Sequence, residues 1–144
     1  MFSARINRLY NAVIGKNVRY AVYPVIDSVD IAGVKLTCKT AKKIDADPVA
    51  ILSSGTAPQV VYWICSVLVH TVETAEIHGV RIETAAAVKL WELIFDPTAA
   101  SVNLPPFDLP FPIKMGAKAV VNGVMGCVTA GKTAYVALIC ATLL

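Results

Sequence analysis

The apolar run from Val60 to Val69, continuing past His70 to Val72, constrains this chain more than any other segment. A membrane-spanning helix needs about 20 mostly apolar residues, and this run is too short and has a histidine inside it. The apolar tail from Ala134 to Leu144 is only about half the required length, with Lys114, Lys118 and Lys132 upstream of it. Neither segment reads as a transmembrane helix. A short run rich in β-branched and aromatic residues is a strand. Because it is apolar at consecutive positions, both of its faces are covered. Such a strand lies in the middle of a sheet, or between a sheet and a neighbouring subunit.

The segments around it carry strand signals too. Tyr20, Val22, Val25 and Ile26 form a β-type run interrupted by Pro24, and a proline there predicts an edge strand or a bend. Val29–Cys38 alternates, with Gly33 weakening its middle. Val49–Leu52 is short and closed by Ser53, Ser54, Gly55 and Pro58. Ile77–Glu83 alternates and Val88–Phe95 follows. Pro97, Pro105 and Pro106 exclude helix from 96–108. Further strands are expected over 109–113, 119–121, 124–128 and 133–141. Asn122-Gly123 reads as a hairpin turn, and 130–132 as a second tight turn. Many short strands separated by turns predict a sandwich or barrel. Helical spacing occurs only near the start, where Phe2, Ile6, Leu9, Tyr10, Val13 and Ile14 recur every three or four residues before Gly15. Residues 1–18 are therefore expected to be an arm or short helix, and 19–144 a single all-β domain, a β-sandwich of jelly-roll type. The start shows basic residues, Arg5 and Arg8, but no apolar core with a small-residue cleavage site, so no signal peptide is expected.

Composition bears on what the domain does. Of 144 residues, 56% are hydrophobic and 16% charged, against about 25% charged in ordinary soluble domains. A small monomer with so little charge covers its surface poorly, which implies burial against other subunits. Net charge is +3 and spread out, with no block of like charges to draw nucleic acid. Cys38, Cys65, Cys127 and Cys140 form no CxxC pair. Scattered in apolar runs, they read as small hydrophobes made in a reducing compartment, with one disulfide left open.

One motif is sharp on paper. Gly126–Thr133 satisfies the phosphate-loop pattern GxxxxGK[ST], in which backbone N–H groups cradle phosphate, Lys pairs with it and Thr holds magnesium. That chemistry requires a following helix and a parallel sheet. Here only 11 residues follow Thr133, and the β-branched Val136, Ile139 and Thr142 are among them. The stretch reads as a β-turn between two strands, with Gly131 supplying unusual φ/ψ. His70, Glu73, Glu76 and His78 are the one local group of metal-type residues. They read as a polar hairpin tip, because imidazoles and carboxylates must converge to hold a metal. Asp27, Asp30, Asp45 and Asp47 lie in turn-like stretches where Asp bonds local backbone. No spacing identifies a catalytic triad. No enzyme activity and no cofactor is expected.

The C-terminal half carries a resemblance. Val88-Lys89-Leu90-Trp91-Glu92-Leu93 leads through a proline-bearing loop to Leu104-Pro105-Pro106 and Leu109-Pro110-Phe111-Pro112-Ile113. Gly123–Thr129 then turns at Ala130-Gly131-Lys132 into Thr133–Ile139. This order, over residues 58–144, resembles small β-sandwich structural proteins of tailed-bacteriophage virions: capsid decoration (cement) proteins and related tail or fibre modules. Residues 1–50 lie outside it, and the apolar content exceeds that of soluble cement proteins. The resemblance implies a non-enzymatic virion protein, made in the host cytoplasm, that stabilises the capsid lattice. A tail, collar or fibre component is the alternative; a small ligand- or carbohydrate-binding sandwich is the reading from another class. The partners it implies are copies of itself and other virion proteins such as the major capsid protein, with no nucleic acid, membrane or small-molecule substrate. Candidate contact residues are Phe2, Ile6, Leu9 and Tyr10 on the arm and Val60, Tyr62 and Trp63 on the apolar strand.

Overall fold

The computed structural model describes residues 18–24, 33–45, 47–97, 99–100 and 104–143. The expected arm or helix over 2–14, and with it Phe2, Ile6, Leu9 and Tyr10, lies outside these residues. Strand is the only regular structure within them. The nine strands are β1 (Val18–Tyr23), β2 (Val34–Thr37), β3 (Val49–Leu52), β4 (Tyr62–His70), β5 (His78–Thr84), β6 (Lys89–Phe95), β7 (Phe107–Met115), β8 (Val121–Cys127) and β9 (Thr133–Leu143).

Two antiparallel sheets result. The first runs β1–β9–β4–β7, with β2 also paired to β9, and the second runs β3–β8–β5–β6. The pairs β2·β9, β3·β8, β4·β7 and β5·β6 are nested. The chain is thus one long double-stranded hairpin whose tip is the β5–β6 turn. Rolling it up brings β9 against β4 and β8 against β5. That winding is the jelly roll, a double Greek key. Its tip is a tight turn: the Ala87 N–H donates to the Thr84 carbonyl at 2.9 Å, and Ala87 takes φ 61°, as in three-residue hairpin loops.

Period-two alternation sends one set of side chains inward from each strand. Leu36, Ile51, Tyr62, Ile64, Val67, Val80, Ile82, Leu109, Met125 and Leu138 from both sheets form one buried core. Aromatic rings close one open side, where Phe107 of β7 packs on Trp91 and Phe95 of β6 at 6.4 and 5.2 Å between centroids. β1 ends just before Pro24 and is an edge strand, as that proline requires. All four cysteines are free and buried.

One expectation fails. Asn122-Gly123 is not a turn, because β8 runs straight through it. Gly123 faces inward, and Ile51 and Leu36 fill the space where its side chain would be, within 2.9 Å of a built Cβ. The dipeptide is a place for packing. The strand expected over 109–113 forms through Pro110 and Pro112 and is longer at both ends, running from Phe107 to Met115. It does so as a bulged edge strand: its register with β4 steps from Ile64↔Ile113 to Ser66↔Asp108, and edges and bulges are where strands tolerate proline.

Candidate functional site

The outer faces of the two sheets differ in character. On the β3–β8–β5–β6 sheet the outer face is ionic: Arg81 Nε meets Glu83 at 3.2 Å, Arg81 Nη1 meets Glu92 at 3.6 Å, and Lys89 meets Glu92 at 3.6 Å. On the other sheet, the two inner strands β9 and β4 present Tyr135, Ala137, Ile139, Ala141 and Leu143 beside Trp63, Cys65, Ser66, Leu68 and His70. This strip carries no Asp, Glu, Lys or Arg; Cys65, Ser66, Ala137, Ile139 and Ala141 in it are buried within the chain, while Trp63, Leu68, His70 and Tyr135 are half-buried and Leu143 is exposed. Charge begins at its margins, with Lys35 opposite Tyr135 on β2, and Lys114 and Asp108 opposite Trp63 and Ser66 on β7. Cys65 and Ala141 form a second apolar cluster there, flanked by Val18, Tyr20 and Trp63. Ser66 donates to Asp108 at 2.6 Å, and the His70 ring stacks on Tyr135. Burial pushes the Cys65 thiol up to about 12, so it is a neutral packing group.

The predicted contact residues separate. Trp63 lies on this outer strip, half-buried. Val60 precedes β4 and is 51% exposed. Tyr62 points the other way: it is fully buried in the core, and its hydroxyl donates to the Ala119 carbonyl at 2.7 Å. Its aromatic surface is therefore covered by its own chain. Sequence reasoning did not single out Tyr20, Tyr135, Leu68 or Ile139. The signal was the second apolar run, 134–144, which pairs with the first. It also passed over Phe111, which projects from the β7 bulge between two prolines and is 75% exposed.

The phosphate-loop pattern lies in the β8–β9 turn. Gly131 takes φ 84°, its N–H donates to the Cys38 carbonyl at 2.8 Å, and a strand follows in place of a helix. Glu73, from the β4–β5 connection, occupies the anion's position. Its carboxylate accepts from Lys132 Nζ at 3.3 Å, from the Thr133 N–H at 2.9 Å and from the Thr133 hydroxyl at 3.2 Å. Both residues that would turn to phosphate and magnesium are thus engaged by the protein's own carboxylate.

Glu76 grips the same turn. It accepts from the Cys127 thiol at 3.0 Å, the Thr74 hydroxyl at 2.9 Å and the Thr129 hydroxyl at 3.1 Å. His78 is fully buried, stacked on Phe95, with Nε2 3.5 Å from the Cys127 sulfur and Nδ1 on the Glu76 carbonyl. A cysteine beside a histidine resembles a nucleophile with its base, but the electrostatics run against it. Burial, then the hydrogen bond to Glu76, raise the Cys127 thiol above its usual range. A buried thiol held protonated is inert. His70 and His78 face opposite sides of the sandwich, His70 on the outer strip and His78 in the core. Among the described residues no group of three or more His, Cys, Asp or Glu is placed to hold a metal ion. No family model, curated protein or solved structure matches the chain.

Proposed function

We propose that this chain is a structural virion protein of a tailed bacteriophage, a capsid decoration protein that stabilises the lattice by binding it. The observation that carries the proposal is the charge-free outer strip of β9 and β4, set against an ionic face on the other sheet. Part of the strip is already covered within the chain, and its accessible part is the half-buried Trp63, Leu68, His70 and Tyr135 with the exposed Leu143. Apolar surface left accessible in this way supports a protein–protein contact, and permanent interfaces are more apolar than transient ones. The jelly-roll winding and the strand-and-proline order of residues 58–144 fit the same class. The mechanism is mass action: a protein that binds only the assembled lattice shifts the equilibrium toward it. A tail or collar position would use the same surface.

Sedimentation velocity at micromolar concentration, with and without purified particles, tests this reading. Self-association or particle binding that Trp63→Glu and Leu68→Glu abolish, with circular dichroism unchanged, is the expected result. A stable soluble monomer that binds no particle would overturn it.

A further inference from the structure

The ionic outer face of the β3–β8–β5–β6 sheet is interrupted at one place. Gly79 of β5 and Gly126 of β8 are direct cross-strand partners, so two adjacent positions on that face have no side chain. The β2–β3 connection crosses them and seats Ile44 there. A Cβ on Gly126 would lie 2.5 Å from the Lys43 carbonyl oxygen, and one on Gly79 would collide with the end of Ile44. Beside Ile44 a half-open cavity of about 240 Å³ remains.

Its walls are apolar: Ile44, Ile77, Ile94 and Val128 over the two glycines. Three of these are unusually bare for such side chains, with Ile77 49%, Ile94 67% and Val128 38% exposed. Isolated exposed apolar residues are ordinary, but three converging on one concavity within a charged face are not. The charged residues along the cavity are Lys42 and Lys43, both exposed, and among the described residues no Asp or Glu lines it. Lys42 is held in the left-handed region, φ 63°, by its N–H bond to the Cys127 carbonyl at 2.7 Å. Non-glycine residues kept there against steric cost cluster at ligand clamps.

We propose that this cavity binds a small amphipathic anion, an apolar chain or ring of roughly six to ten carbons with a carboxylate, phosphate or sulfate head. The size follows by proportion from the ~150 Å³ apolar cavity that holds benzene. The tail lies on Ile44, Ile77, Ile94 and Val128, and the head pairs with Lys42 and Lys43 at the mouth. Octanoate matches this description.

Isothermal titration of the full chain with sodium octanoate, below its micellar concentration, tests the site. Saturable one-to-one binding is expected, weakening about fourfold for each methylene removed from the ligand. Octylamine, with the same tail and the opposite head, should bind at least about tenfold more weakly. Val128→Trp and Ile94→Trp, which fill the cavity from two strand ends, should each abolish binding while circular dichroism stays unchanged. Lys42→Glu combined with Lys43→Glu should invert the preference between octanoate and octylamine. Absence of saturable octanoate binding would overturn the proposal. So would equal binding of octylamine, or octanoate binding undiminished in both folded tryptophan variants. If the tryptophan variants instead lose particle binding and leave the octanoate heats as they were, the cavity is a protein contact and the proposal fails.

Discussion

Glu73 and Glu76 sit three positions apart on one connection, and both hold the turn between the last two strands. Burial works to raise the Glu73 carboxyl, but the hydrogen bonds from Lys132 and Thr133 outweigh it and the net shift is downward. Glu76 is lowered first by the Cys127 thiol and then by Thr74. A carboxyl lowered in the folded state contributes stability above its unfolded value of 4.5, and that contribution is lost as pH falls through the folded value. Urea midpoints should therefore decline with acidification below about pH 4.5, and the decline should be shallower in a Glu73→Gln, Glu76→Gln double variant. Thiols behave in the opposite sense. Cys65, raised from 9.0 to about 12, supports the fold fully below pH 9 and progressively less up to 12. Unfolding should begin in that alkaline window and shift upward in Cys65→Ala. Lys132→Ala should leave nucleotide affinity undetectable by titration, as in the unaltered chain, because its partner is Glu73. Tyr62→Phe should cost about 0.5–1.5 kcal/mol in denaturant titration, the worth of its bond to Ala119. None of these partnerships is readable from sequence: Glu73 meets Lys132, and Tyr62 meets Ala119, only after the hairpin has rolled.

Strands were legible where alternation or β-branching was strong. The apolar run that starts at Val60 becomes β4 from Tyr62 onward, an inner strand, as its two-sided apolarity required, and Val49–Leu52 and Lys89–Phe95 fall where the residues point. What failed was a local turn rule that tertiary packing overrode. Asn122-Gly123 satisfies the turn rule, yet Ile51 and Leu36 need the missing side chain of Gly123. Pro110 and Pro112 fall inside the strand expected over 109–113, and β7, an edge, bulges around them. The same packing logic ranks glycine substitutions. Gly126→Ala drives a Cβ into the backbone oxygen of Lys43, which cannot step aside, and should destabilise by about 1–3 kcal/mol. Gly79→Ala meets only the tip of Ile44, a side chain that can rotate, and should cost less. Thermal unfolding of the two variants side by side measures the difference.

Across the whole molecule the nested strand pairs place nearly every partner far away in sequence. Folding should be slow for a chain this size, in milliseconds to seconds by stopped-flow fluorescence of Trp63 and Trp91. The asymmetry between one ionic and one apolar outer face also belongs to this scale. Composition could not say where the apolar residues gather, since the strip is assembled from Trp63 and Leu68 on one strand and Tyr135 and Ile139 on another, some 70 positions later in the chain. The nesting has one more consequence. Val18, where β1 begins, lies opposite Leu143 near the end of β9, so the rolled hairpin has its open end gathered at a single point. In the segment 18–143 these two residues are close enough for a short glycine-serine tether, and that segment could be reopened at Ala86 in the exposed tip between β5 and β6. Such a circular permutant would keep every strand pair while reversing which of them are neighbours in sequence: β1 and β9 become adjacent, and β5 and β6 become the most distant. Its equilibrium stability should resemble that of the linear chain, while its folding should start from the opposite end of the roll.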